Sequence, residues 1–223
     1  HFGNLCELTI SDWSPSLSKE SLLELNKLEK LTNLKLINVQ AVDDAVIQAL
    51  PKSIINLDVS YCNHINDLGC FSHLEKMEKL TMKRCSPNTA TSPLPTTLKQ
   101  LTLAECNLMT DSTLAKAIDN LDELTCLDLS FCESLGDILA LNKLVKLQTL
   151  TLKRTSGVND VTSKRLLESL ESLTQLDVSY NHEIHDLLHI VRDHKALKTI
   201  IFDHCPNVDQ RQAATLFNLF STS

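Results

Sequence analysis

The chain predicts an α/β solenoid, a curved coil with about nine parallel strands on its concave face and helices or turns on its convex face. Three observations predict it. The pattern L-x-x-L-x-L-x-x-C, complete in Leu124-Thr-Cys-Leu-Asp-Leu-Ser-Phe-Cys132, returns along the whole sequence. Counted from its second leucine, copies sit at Leu8, Leu34, Leu57, Leu80, Leu101, Leu127, Leu150, Leu176 and Ile200, at steps of 26, 23, 23, 21, 26, 23, 26 and 24 residues. A period of that length is one strand plus one return segment per coil. Composition agrees: 43% hydrophobic residues but only 4% aromatics fit a core of stacked aliphatic side chains.

Each element follows from the repeat. The two central aliphatics of a copy point to one side of a strand and the residues between them to the other. Leu8/Ile10, Leu34/Leu36, Leu57/Val59, Leu80/Met82, Leu101/Leu103, Leu127/Leu129, Leu150/Leu152, Leu176/Val178 and Ile200/Phe202 therefore form an inward ladder. The predicted strands lie near 7–11, 33–37, 56–60, 79–83, 100–104, 126–130, 149–153, 175–179 and 199–203. A coil this short cannot bury its apolar face alone, so neighbours must stack. The repeat leaves no room for a linker, and 1–223 reads as one domain.

Beyond the ninth place comes an aliphatic, one more residue and then aspartate: Asp44, Asp67, Asp111, Asp137, Asp160 and Asp186. Aspartate accepts hydrogen bonds from the free amides of a first helical turn, and apolar residues at helical spacing follow. The six are read as helix N-caps. Return segments after Asp44, Asp111 and Asp160 should hold two to three turns, and those after Asp67 and Asp137 only a turn or short helix. The fourth coil has three prolines and no aspartate in 85–95, which predicts an extended, mobile loop on the convex side. In the first coil Trp13 fills the ninth place and a helix is expected over 19–28. At the far end 213–220 reads as an apolar helix with Phe217 and Phe220 on it. The opening residue is His1 rather than Met, which we read as the start of a fragment.

Five of the eight cysteines, Cys62, Cys85, Cys106, Cys132 and Cys205, take the ninth place of the repeat. Elsewhere that place holds Val39, Thr155 or Asn181, so it reads as a small buried packing slot and the thiols as reduced. Reduced thiols imply an intracellular setting, cytoplasmic or nuclear. A longer echo aligns 60–85 with 130–155 without gaps, pairing Tyr61 with Phe131 and Lys83-Arg84 with Lys153-Arg154. A block of three coils has the look of a duplication.

The motif L-x-x-L-x-L-x-x-C-x-x-[IMV]-T/N-D-x-x-L, best displayed by Leu98 to Leu114, resembles the cysteine-containing leucine-rich repeat and a ribonuclease-inhibitor-like solenoid. This subfamily is typical of F-box/leucine-rich-repeat proteins. The resemblance implies a substrate receptor or adaptor of a ubiquitin ligase. The F-box itself is absent near His1, and the coils of 21 and 23 residues and the partial cysteine column depart from the family. Repeats of this type also occur in bacterial effectors.

Function has to be sought in the outward residues, because the matched ones are core and caps. Beside the strands runs the eighth place: Asp12, Asn38, Tyr61, Arg84, Glu105, Phe131, Arg154, Tyr180 and His204. Aromatics and arginines are the types enriched in binding hot spots. The other reading is that the rings cover the bend after each strand. Lys83, Arg84, Lys153 and Arg154 either bind an acidic peptide or phosphate, or satisfy Asp58, Asp128 and Asp177 on adjacent strands. The expected partner-binding set is Tyr61, Lys83, Arg84, Asp128, Phe131, Lys153, Arg154, Asp177 and Tyr180.

Catalytic and metal patterns are wanting. His182-Glu-Ile-His185 has the wrong spacing for a zinc helix, and His185 with His189 lacks a third ligand. Cys6 and Cys126 stand beside strand leucines without a His/Asp arrangement to activate either. The formal net charge of -7 argues against nucleic acid or an anionic membrane as main partner, and no apolar run is long enough to span a bilayer. The expectation is a protein-binding module, no enzyme, with no cofactor, metal or small-molecule substrate. A pathogen effector delivered to a host cell, acting as an inhibitor, and a structural assembly protein stay open as alternatives.

Overall fold

The computed structural model describes residues 3–11 and 17–221, with side chains through Leu216. Asp12 and Trp13, and the side chains of Phe217 and Phe220, lie outside the described residues. Nine strands form one open parallel sheet in chain order: β1 (Glu7–Ser11), β2 (Asn33–Ile37), β3 (Asn56–Asp58), β4 (Lys79–Thr81), β5 (Gln100–Thr102), β6 (Cys126–Asp128), β7 (Thr149–Thr151), β8 (Gln175–Asp177) and β9 (Thr199–Ile201). The register is that of the repeat, with Leu34 beside Leu57, Leu57 beside Leu80 and so on to Leu176 beside Ile200. Helices α1 (Lys19–Leu23), α2 (Asp44–Gln48), α3 (Asp111–Ala117), α4 (Asp160–Ser169), α5 (Leu187–Val191) and α6 (Gln210–Ser221) return the chain. Three-ten segments do so at Glu24–Lys27, Leu68–Phe71 and Leu139–Lys143. Between sheet and return segments one aliphatic core runs unbroken from Leu22 to Leu216.

From β3 onward the strands are three residues long, where five are predicted. The reason lies in the ninth place. Val59 N–H still reaches Thr81 O at 2.9 Å, and a regular parallel ladder would return a bond from Lys83 N–H to Val59 O. Instead Lys83 N–H donates to Ser60 Oγ at 3.3 Å, and Val59 O accepts the Cys85 thiol at 3.2 Å. The same back-bond recurs in coil after coil: Cys62 to Leu36 O (3.1 Å), Cys132 to Leu103 O (3.0 Å) and Cys205 to Val178 O (3.3 Å). Thr155 Oγ1 reaches Leu129 O at 3.0 Å, and Asn181 Nδ2 reaches Leu152 O at 2.8 Å. Val39 has no donor to give, and only there, between β1 and β2, does the ladder keep all five residues. The ninth place is thus the buried packing slot expected and, wherever its residue carries a donor, a hydrogen-bonding position as well. Cys, Thr and Asn share it because each can satisfy one carbonyl of the preceding coil. All eight cysteines are free, and burial pushes the thiols of Cys62 and Cys132 up to about 12 and that of Cys85 to about 11.

The aspartate column also differs from expectation. Asp67 and Asp186 cap as expected, accepting from Gly69 N and His189 N, and Asp137 accepts from Leu139 N. In the other three coils the cap stands one residue earlier, at Asp43, Thr110 and Asn159. Asp44, Asp111 and Asp160 are thereby freed to reach the next coil. Asp44 Oδ1 accepts from Asn66 N at 2.9 Å, Asp111 Oδ1 from Gly136 N at 2.9 Å and Asp160 Oδ1 from His185 N at 2.8 Å. These carboxylates clamp one turn to the next. Helix lengths differ as well: α2 has five residues, barely more than one turn, and α1 breaks into a three-ten segment at Glu24.

The proline-bearing stretch of the fourth coil is extended as predicted, yet it is tied down on both sides. Leu68 N–H donates to Thr89 O at 2.9 Å, Thr113 Oγ1 to Asn88 O at 2.9 Å, and Leu94 N–H to Ala117 O at 2.9 Å. Asp67 is the anchor, accepting from Gly69 N and Thr91 N, each at 2.8 Å, and from Thr91 Oγ1 at 2.5 Å. Burial pushes its pKa up, but these donors outweigh burial and hold it below the ordinary 3.8. A carboxylate with a lowered folded pKa stabilises above its unfolded value and loses that contribution as pH falls through the folded one. Asp67→Asn is therefore expected to be less stable than wild type at neutral pH, the difference shrinking below about pH 4. Urea unfolding across pH 2–7 checks this, and a difference independent of pH refutes it.

Candidate protein-binding surface

A sharp bend follows each strand from β2 to β9, and its backbone has one character throughout. Asn38, Tyr61, Arg84, Glu105, Phe131, Arg154, Tyr180 and His204 all have positive φ, between 46° and 66°, and glycine stands at none of them. Each left-handed residue, up to Tyr180, sends its N–H to the coil ahead. Tyr61 donates to Lys83 O at 2.7 Å, Phe131 to Lys153 O at 2.6 Å and Tyr180 to Asp203 O at 2.8 Å. Those bonds fix the conformation against the steric cost of a Cβ there. The bend throws the eighth-place side chains outward along one rim of the sheet.

Along this rim the rings lean on one another. Tyr180 stacks on His204 with centroids 4.5 Å apart and planes 7° from parallel, and Phe131 meets Tyr180 at 6.2 Å, tilted by 42°. Arg84 lies over the Tyr61 ring at 5.8 Å. Tyr61 and Tyr180 keep 37% of their surface exposed, and Phe131 is half-buried. Edge packing and outward presentation therefore coexist in the same side chains. The two arginines pair with rim carboxylates, Arg84 with Glu105 at 2.5 Å and Arg154 with Glu133 at 2.7 Å.

The acids of the sheet face are held by their own strands. Asp58, Asp128 and Asp177 each accept from the backbone and hydroxyl of the serine two residues on, Ser60, Ser130 and Ser179, at 2.5 to 3.0 Å. Lys153 also bonds Asp177 at 3.0 Å, and that carboxylate, itself buried, holds the lysine above its ordinary pKa. So six of the nine predicted residues form three contacting pairs: Tyr61 with Arg84, Phe131 with Tyr180, and Lys153 with Asp177. Lys83 is exposed, with no carboxylate in ion-pair reach among the described residues. Asp128 is half-buried on its serine, and Arg154 turns to Glu133.

A depression of about 330 Å³ opens at the rim between Arg154, Glu133, Tyr180 and His182, floored by Thr155 and Asn181. Its floor is the only pair of neighbouring coils where thiols give way to Thr and Asn. Glu105, Glu133 and His204 belong to the rim set but were not in the predicted one. The eighth-place column exposed Glu105 and His204 to view; Glu133 comes from the turn beyond Cys132 and carries no such signal. Elsewhere His185 accepts from Asn207 Nδ2 at 3.2 Å, and among the described residues no three His, Cys, Asp or Glu side chains converge as a metal site requires. No helix among the described residues is long and apolar enough to cross a membrane.

Residues 169–187 match the family described as Leucine Rich repeat. A comparison with curated protein sequences finds no match. Among solved structures, the chain is similar to internalin C2 of Listeria monocytogenes, with a TM-score of 0.57 and 19% identity over 90% of this chain and 82% of that one. It is also similar to the receptor of a TLR13–ssRNA13 complex, with a TM-score of 0.58 and 21% identity over 91% of this chain but 30% of that one. An internalin, inlF, from the same Listeria species gives a TM-score of 0.45 at 19% identity, over 93% of this chain and 69% of that one. Nine coils, each contributing one strand to a single parallel sheet, give the chain the leucine-rich-repeat solenoid fold that its solved neighbours share.

Proposed function

We propose that the protein is a binding module that takes a protein partner on the outward face of its sheet and the adjoining aromatic and basic rim. The left-handed rim carries this reading. Each of its non-glycine residues sits in a backbone conformation costing on the order of 1 kcal/mol, which glycine would adopt freely. What the side chains gain within the fold is exposed ion pairs and ring contacts of similar or smaller worth. Tyr, Phe and Arg at such positions gain most when a partner covers them. The sheet, roughly 40 Å across at about 4.8 Å per strand, has room for an interface of ordinary size.

Phe131→Ala combined with Tyr180→Ala is expected to leave the melting temperature within a few degrees of wild type while weakening partner binding by about tenfold or more. Affinity capture identifies the partner, and calorimetric titration of the purified pair measures the loss. A collapse in stability with binding intact would show the rings to be core and refute the reading. Within this class, the finer role we favour is substrate receptor or adaptor of a ubiquitin ligase, supported by the cysteine-type repeat. An intracellular setting is supported by the ninth-place thiols, whose hydrogen bonds require them reduced. Co-purification of the full-length gene product with a Skp-type adaptor tests the role. The net charge of -7 favours protein over nucleic acid as the partner, and the RNA in the TLR13 complex makes that a choice to test directly.

A further inference from the structure

The duplicated block supplies an internal comparison. Lys83 and Lys153 are equivalent, seventy residues apart, and both project from the end of a strand. Lys153 is neutralised by Asp177 on the following strand, at 3.0 Å. The register places Thr102 on β5 where Asp177 stands on β8, so Lys83 has no such acid. Lys79, on the same face of β4, is exposed and likewise has no ion-pair partner among the described residues. Beside Lys79 lie Asn56 and Gln100, and beside Thr81 lie Asp58 and Thr102. The one acid there, Asp58, is held by the N–H of Ser60 at 3.0 Å and its hydroxyl at 2.6 Å. Next along the rim Arg84 reaches Glu105 through Nε. In a chain of net charge -7, β4 and the bend after it thus present three cations, two of them without an ion-pair partner among the described residues, amid amide and hydroxyl groups.

We propose that β4 is the docking point for an acidic segment of the protein partner, an extended run rich in Asp and Glu whose carboxylates lie against Lys79, Lys83 and Arg84. The proposal rests on the sheet face being the binding surface. Charge complementarity selects the occupant: lysines spaced along a strand meet alternate side chains of an extended peptide, and Thr81, Thr102 and Gln100 offer hydrogen bonds to carboxylate oxygens. Among the described rim rings only Tyr61 flanks the cations, and Arg84 lies over one of its faces. That leaves no row of free ring faces on which the bases of a single-stranded nucleic acid would stack.

The test is fluorescence anisotropy of a labelled oligoglutamate peptide with the intact chain, at low and at raised salt. Wild type is expected to bind, with affinity falling as salt rises. Lys79→Glu with Lys83→Glu is expected to weaken binding about tenfold or more. Lys76→Glu with Lys195→Glu, which makes the same charge change outside the strands, should stay within about twofold of wild type. Equal losses in the two doubles, or no binding by wild type, overturn the proposal. So does a single-stranded RNA of equal charge that binds wild type more tightly than oligoglutamate and is weakened by the β4 double. The Phe131→Ala/Tyr180→Ala variant should bind oligoglutamate as wild type does. If it loses the captured partner while the β4 double keeps it, this inference fails and the binding reading stands. If the partner is indifferent to both doubles, the reading fails as well.

Discussion

Asn181→Ala is expected to lower the folding free energy by about 3 kcal/mol, more than any single change at the surface. The side chain is 4% exposed and serves three backbone groups at once. Its Oδ1 accepts from Thr155 N at 3.0 Å, and its Nδ2 donates to Leu152 O and Val178 O, each at 2.8 Å. Alanine leaves the buried Thr155 amide and Leu152 carbonyl without partners, while Val178 O keeps the Cys205 thiol, and each orphaned group costs about 1 kcal/mol or more. Asn181→Thr is the informative companion. Thr155 shows that a hydroxyl in this slot reaches the carbonyl behind it, so threonine should recover about half of the loss. Urea unfolding with an unchanged slope reads both values. A loss under about 1 kcal/mol for alanine would mean that the slot tolerates unpaired backbone, and the donor-ladder account would fall.

Gly69→Ala should cost about 2 kcal/mol, through lack of space rather than backbone conformation. A Cβ at Gly69 would lie 2.6 Å from the backbone nitrogen of Ser92, closer than any real contact, and also against Thr91 Oγ1. Both neighbours belong to the proline-bearing stretch that Asp67 anchors, so the chain there must move as a unit or break the Asp67–Thr91 bonds. No glycine here has positive φ, which removes strain relief from the comparison. Gly136→Ala is the control, since its nearest neighbour would be Asp111 Oδ2 at 3.6 Å, an ordinary contact. Thermal melts of the two variants should separate clearly. Equal melting temperatures would show that the fourth coil yields freely.

How much of this was legible depends on the range over which each signal acts. The strand positions were readable because Leu34, Leu57 and Leu127 repeat in register with their own period, and alternation fixes which way they face. The caps were misplaced by one residue in three coils because Asp43-Asp44, Thr110-Asp111 and Asn159-Asp160 each offer two good capping residues. What settles the choice is that the second of each pair has an acceptor's task in the next coil, more than twenty residues on. Cysteine reads in sequence as a small hydrophobe, and its thiol donor becomes visible only when a carbonyl stands 3.0 to 3.5 Å away. The rim residues were found by their place in the repeat, but their left-handed backbone was hidden, because glycine, the usual marker, is missing. Pairing among the charges was the least legible, for Lys83 and Lys153 look identical until the strand beside each is known.

Two sets of ties between coils point in opposite directions, and both end on main-chain atoms. A ninth-place donor reaches back to a carbonyl, and a turn carboxylate reaches forward to an amide. Main-chain atoms are the same whatever residue carries them, so these particular bonds ask nothing of the neighbouring coil's side chains. These bonds are standard fittings, which survive when a coil is copied or exchanged. Such a scaffold leaves the outward residues free to vary one coil at a time, and new specificities need not disturb the stack that carries them.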